Sequence, residues 1–490
     1  MQRYRRHRHP AAGILIILSL AAVGCPASPP TAPTAQAKPF AGVTLTVVCP
    51  DPAFARALPG RAAGWAGRTG AAVTWIPDVN AADVVVVRPA AWGSVAADLT
   101  PVPPDLRAAD HPVQRGRIIE AYRDALPGWA GDALGLPVVG DGFALVTRAD
   151  RLADPAVVAA FRAKFDRPPD VPRTYEDVAD LAEVVARVQG KPSLPPLAGD
   201  GPLLGEFHRV AACYDRPAVA SRAAGVTADP AGLSLHFVGA TPRPRLTTPG
   251  FRAAAAWLAR TAPHRLPAGP NPDPVAALDG SAVAAVLTLA EVGRLPRDPA
   301  TGAVAGRFAV ARLPGTRTYF DAAGKEQPAA GQGNYVPFVG DGSLVAGVRK
   351  TCATPAAAWD FVADLAGPVG SLAGLNDPAV GGGPFRREHL EPGRDSIWLA
   401  YQFDPAGSAR LADALRANAA VNVVNPATVY RGPDQPELMA ALAAAIRQAA
   451  TGGLPPAAAL AQAEAAWAAL DAKRDAADLA RRRRNAAGLP

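Results

Sequence analysis

Four consecutive valines, Val84 to Val87, constrain this chain more than any other stretch. A run that is β-branched and apolar on both sides of the pleat fits a strand buried on both faces, as in a parallel sheet covered by helices. The run stands in the right company. Val43 to Val48 is a second short apolar strand, a helical stretch follows around Trp65, and Ala72 to Ile76 reads as a third strand. This alternation of strand and helix predicts an α/β lobe. Just past the valines comes Arg88-Pro89-Ala90-Ala91-Trp92. It occupies the carboxyl end of a parallel strand, where ligands meet open sheets, so Trp92 is a candidate ligand contact. At 490 residues the chain holds two or three domain-sized units.

The formal charge of +7 hints at an anionic partner, but its placement removes the hint. Four arginines lie in the first eight residues and four more form the run Arg481 to Arg484; without these eight the body carries about −1. No basic stripe remains for a phosphate backbone to follow, and nucleic-acid binding is disfavoured. The amino-terminal arginines precede the apolar run Ala11 to Val23 and then Ala22-Val23-Gly24-Cys25. The run is too short to span a bilayer but suits the core of a secretory signal. Small residues before a cysteine resemble a bacterial lipobox, so residues 1–25 are expected to be a signal with Cys25 lipidated; an ordinary cleaved signal is the alternative. Residues 26–39, rich in Pro, Ala, Ser and Thr, read as a tether. Export and lipid anchoring at the cell envelope follow. Of the remaining cysteines, Cys49, Cys213 and Cys352, no two share a metal-ligand spacing, and one disulfide is open.

Ala133 to Arg148 reads ALGLPVVGDGFALVTR, with Gly135-Leu136-Pro137 entering a strand, and Pro172 to Leu181 reads PRTYEDVADL. Thr174 and Asp177 stand three apart before the apolar Val178 and Leu181, a capping-box start for a helix. Further along come PGFRAAAAWL (249–258), DGSAVAAVLTL (279–289), FAVARLP (308–314), GDGSLVAGV (340–348), PAAAWDFVADL (355–365) and Gly383-Pro384-Phe385-Arg386. In this order, over roughly Val43 to Leu470, the chain resembles the extracellular solute-binding proteins of bacterial ABC importers, the sugar-binding group above all. The resemblance implies an α/β, two-lobe periplasmic-binding-protein type II fold with a hinge and an interlobe cleft. Lobe 1 is expected to comprise 40–147 with 335–390, and lobe 2 to comprise 148–334 with 391–470, leaving 471–490 as a charged tail. It implies a monomer that uses no cofactor, captures a small solute, a carbohydrate by preference, and hands it to permease subunits.

The tetrapeptide Val-Gly-Asp-Gly occurs twice, at 139–142 and 339–342, each time before an apolar strand, and Gly199-Asp200-Gly201 echoes it. Aspartate between glycines suits a tight turn. The acidic position after Gly-x-Pro also resembles a cleft residue of carbohydrate binders, which makes Asp141 a candidate with its neighbour Gly142; the segment of Asp341 and Ser343 resembles a cleft-lining part of the family, and Asp200 joins them as the third copy of the pattern. Tyr335 stands in a loop beside a strand, and Thr288 and Glu291 follow the strand Ala284 to Leu287, so all three can face a cleft. Trp257, Trp359 and Trp467 sit inside apolar helical patterns and read as core. Nucleophile-elbow, zinc-protease, P-loop and dinucleotide motifs are absent from the sequence. Two other readings stay open: a lipid-anchored sensor or scaffold of the same fold, and a glycan hydrolase using Asp141 and Asp341.

Overall fold

Strands β1 (Thr44–Val48), β2 (Ala72–Trp75), β3 (Val84–Val87), β4 (Leu136–Val139), β5 (Phe143–Arg148), β6 (Ala284–Thr288), β7 (Phe308–Ala311), β8 (Phe338–Val339), β9 (Leu344–Val348) and β10 (Ala427–Thr428) frame the chain. They come from a computed structural model that describes residues 38–220, 229–270 and 272–490. The expected signal, Cys25 and the tether up to residue 37 lie outside the described residues.

Among the described residues, the first sheet has the order β2-β1-β3-β9-β4. β1 runs parallel to β2 and β3, while β9 runs antiparallel to both β3 and β4. All four valines of β3 are buried, as a strand covered on both faces requires. Helix α1 (Pro52–Thr69) covers one face. Asp51 starts it by accepting the Ala53 and Phe54 amides at 3.1 and 3.0 Å, and Gly70 ends it in the left-handed conformation with φ 79°.

The second sheet, β6-β5-β7, is antiparallel throughout. Helix α2 (Tyr175–Gln189) packs on it through Leu181, Val184 and Val185, while helices α3 (Asp200–Asp215) and α4 (Pro249–Thr261) pack on each other and α4 also on α2. The predicted capping box forms: the Asp177 amide donates to Thr174 Oγ1 at 3.1 Å and the Thr174 amide to Asp177 Oδ2 at 3.1 Å.

Both Val-Gly-Asp-Gly copies bridge the two halves. Gly140 to Gly142 carry the chain from β4 of the first sheet to β5 of the second, and Gly340 to Ser343 carry it from β8 into β9 of the first. A third passage meets the first where Gly140 and Gly383 exchange amide and carbonyl at 3.0 and 3.1 Å. Strand Phe143–Arg148 thus belongs to the second sheet, and the chain crosses at 140–142 rather than at 147. The largest apolar cluster is continuous across both halves, from Val85, Val87 and Trp92 to Phe207, Trp257 and Leu287.

Helices α5 (Gln435–Ala450), α6 (Pro456–Asp471) and α7 (Ala476–Ala486) close the chain. The expected charged tail is in fact folded, because Arg483 turns inward. Its side chain is 1% exposed and donates to Asp434 at 2.8 and 3.0 Å and to Asp471 at 3.0 Å, under the Phe237 ring. Among the described residues no helix is long and apolar enough to cross a membrane.

Candidate ligand-binding cleft

A cavity of about 540 Å³ opens between the two sheets. From the first half it is lined by Asp51, Phe54, Arg88 and Leu344, and from the second by Tyr175, Glu206, Arg209, Trp257 and Arg265. Its volume falls in the range of sites that hold small molecules.

The charged lining is built of pairs. Arg88, at the end of β3, reaches the free oxygen of the helix-capping Asp51 at 2.7 Å. Arg209 of α3 meets Asp341 at 2.5 Å, with its guanidinium 4.7 Å from the centre of the Phe143 ring. Arg265 meets Glu206 at 2.5 Å, its guanidinium 5.8 Å from the centre of the Trp257 ring. Together with Glu291, three arginines stand against four carboxylates. The buried Nε–H groups of Arg209 and Arg265 have no partner among the described residues.

Four of the sequence candidates line this cavity: Gly142, Thr288, Glu291 and Asp341. Thr288 and Glu291 form a capping box for the short helix Leu289–Val292; the Glu291 amide donates to Thr288 Oγ1 at 3.2 Å and the Thr288 amide to Glu291 Oε2 at 2.7 Å.

Five candidates stand elsewhere. Trp92 is fully buried in the core because its indole turns under the first sheet. A Cβ on Gly135 would lie 2.7 Å from that indole, so glycine is what makes the room. Ser343 is also fully buried. Asp200 is exposed at the start of α3 and pairs with Arg447. Tyr335 donates to the Asn418 carbonyl at 3.2 Å behind the cleft.

Asp141 is the most informative displacement. Its carboxylate accepts the Gly340 and Gly342 amides at 2.8 and 2.6 Å and the Tyr122 hydroxyl at 3.0 Å. Those bonds turn it from the cavity toward the second crossing. Burial pushes its pKa up to about 6, against the opposing pull of the two amides.

Sequence reading missed Asp51, Arg88, Glu206, Arg209 and Arg265. One signal was available: Glu206 and Arg209 are three apart on one helix and therefore share a face. His208 points the other way, its Nε2 2.9 Å from that of His236 in the core. Cys49, Cys213 and Cys352 are free thiols. Among the described residues no group of three or more His, Cys, Asp or Glu side chains is arranged to hold a metal ion.

No protein-family model matches the sequence, and no curated protein matches it significantly. Solved structures match well in shape. A cyclic alpha-maltosyl-1,6-maltose binding protein from Arthrobacter globiformis is 13% identical, covering 87% of this chain and 98% of its own, with a TM-score of 0.58. An ABC transporter solute-binding protein from Agrobacterium radiobacter, in complex with ribitol, is 16% identical over 88% of this chain and 100% of its own, with a TM-score of 0.57. The GacH receptor of Streptomyces glaucescens, solved unliganded and with acarbose, is 14% identical over 88% and 99%, with a TM-score of 0.56. The chain therefore has the two-lobe α/β fold of the ABC-transporter solute-binding proteins.

Proposed function

We propose that this chain captures a small neutral, hydroxyl-rich solute, a sugar or polyol, between its two lobes and delivers it to the permease of an ABC importer. The observation that carries the reading is the pairing of each cleft arginine with a carboxylate, from both sides of the cavity. A wall that alternates strong donors and acceptors and nearly balances its charge suits hydroxyl groups, each of which donates and accepts. An anion would meet four carboxylates there, and a cation three arginines. The likeness of fold to proteins that bind maltose-type sugars and ribitol supports the same choice.

The lobes divide at the crossings, and the solute draws them together by touching both. Lipidation at Cys25 would hold the protein at the membrane, and a monomer suffices for delivery. The reading as a glycan hydrolase loses ground because the Asp141 carboxylate is committed to the amides of the second crossing. A thermal-shift screen over sugars, polyols, amino acids and oxyanions tests the proposal. A rise in melting temperature with a sugar or polyol supports it; a rise confined to oxyanions or amino acids refutes the solute class.

A further inference from the structure

Asp341 lines the cleft, and the turn that presents it is clamped from outside. The amide before it, of Gly340, and the amide after it, of Gly342, both donate to the carboxylate of Asp141, at 2.8 and 2.6 Å. Its own carbonyl accepts from Arg88 at 3.1 Å, and its carboxylate meets Arg209 at 2.5 Å. Asp141 is fixed in turn by Tyr122, whose hydroxyl donates to it at 3.0 Å and accepts the Asp141 amide at 3.1 Å. Gly340 has φ 107°, and a Cβ there would lie 2.5 Å from the Val429 side chain, so this crossing depends on glycine as well. The two copies of the tetrapeptide thus have unlike tasks. The aspartate of the first holds the backbone of the second, and the aspartate of the second faces the cavity.

We propose that Asp141 is a positioning residue of the solute site: it holds the two amides that flank Asp341, aims the Asp341 carboxylate at Arg209 in the cleft, and leaves Asp341 to contact the solute. The inference rests on the cleft being the solute site, as proposed above. It gives a task to an acidic residue of the first crossing that does not reach the cavity.

The arrangement makes solute capture sensitive to acid. The titratable and charged groups that face Asp141 are Tyr122, Tyr335 and Asp341, with Arg209 beyond. Burial has raised its pKa to about 6. When pH falls through that value the carboxyl gains a proton, and one oxygen becomes a donor facing donors. Three groups then compete for fewer lone pairs, and the turn that carries Asp341 loosens.

The test uses the mature chain with ¹⁵N-labelled glycine, followed by NMR from pH 7.5 to 5. In the wild type the Gly340 and Gly342 amide resonances are expected to move together with a midpoint near 6. In D141N that movement disappears, while in D341N it persists. Binding of maltose and of ribitol is measured in parallel. D141N and D341N are both expected to weaken the solute that binds by about 10- to 100-fold. Should D141N fail to fold, Y122F keeps the carboxylate and is expected to shift the glycine midpoint upward, because a bond favouring the charged form is lost. Glycine amides that stay still in the wild type, or a D141N protein with wild-type affinity, would overturn the proposal. If neither maltose nor ribitol binds the wild type, the solute class proposed above fails, while the glycine titration still decides whether Asp141 holds the turn.

Discussion

Arg265 shows how a cleft residue is held ready. It donates to Glu206 at 2.5 Å and to the Pro195 carbonyl at 3.3 Å, with Trp257 beneath it. Such a guanidinium keeps its plane and loses little entropy on meeting a hydroxyl. Replacing Arg265 with alanine leaves Glu206, 14% exposed, without that partner. The expected cost is about 1–3 kcal/mol in urea unfolding, together with loss of the solute-induced thermal shift. A full shift retained by R265A would remove the residue from the site. At this scale the sequence was only partly legible. Thr288 and Glu291 were found because they follow a strand that ends at the crevice, and Asp341 because its segment resembles a cleft-lining part of the solute-binding family. Trp92 met the same criterion and failed, since the vacancy that receives its indole is made by Gly135 and Gly347, distant in sequence. Arg88 and Arg209 were passed over because ordinary surface arginines share their pattern.

Among the elements, the carboxyl-terminal helix α7 departs most from its sequence. A run of four arginines reads as a solvated tail, yet one of them fits a buried cluster of Asp434, Asp471 and Tyr430. Breaking one side of a buried pair leaves an uncompensated charge, so R483M is expected to destabilise the chain by about 3–5 kcal/mol in urea. A loss below about 1 kcal/mol would show that the helix is a dispensable appendage. The crossings impose a different constraint. A Cβ on Gly383 would lie 2.1 Å from the backbone of Asp141, where no side chain can yield. G383A is therefore expected to cost about 1–3 kcal/mol or more and to alter solute affinity, as read by chemical denaturation and calorimetry. By contrast, the capped start of α2 was legible in full, and so was the burial of the four valines of β3, although the parallel sheet expected around them is mixed because β9 runs antiparallel to β3. Their signals are local: four apolar β-branched residues in succession, and a threonine three residues before an aspartate.

For the whole molecule, buried histidines set the response to acid. Burial pushes His236 and His389 down to about 3, and His208 is also held well below the ordinary range. The unfolded chain binds protons at these sites as pH falls below about 6.5, while the native chain refuses them. Stability is thus present above that pH and lost below it. At pH 5, His236 and His389 are each expected to cost about 2 kcal/mol. Asp141, with its pKa raised to about 6, acts in the opposite sense and returns roughly 1 kcal/mol at the same pH. Urea midpoints at pH 7 and pH 5 check the sum; equal midpoints would contradict it. The resemblance carried by the ordered motifs conveyed the two-lobe plan. It did not convey that one apolar cluster runs through both halves, which depends on contacts no local pattern records.

In the proposed capture the halves turn about the joint where Gly140 and Gly383 exchange amide and carbonyl and Asp141 holds the Gly340 and Gly342 amides. Small-angle X-ray scattering of the purified chain, with and without a saturating sugar or polyol chosen by thermal shift, tests the central claim most directly. The expected result is a smaller radius of gyration with solute, abolished in D341N. A thermal shift with no change in the scattering curve, or one that survives in D341N, would contradict capture by closure of this cleft.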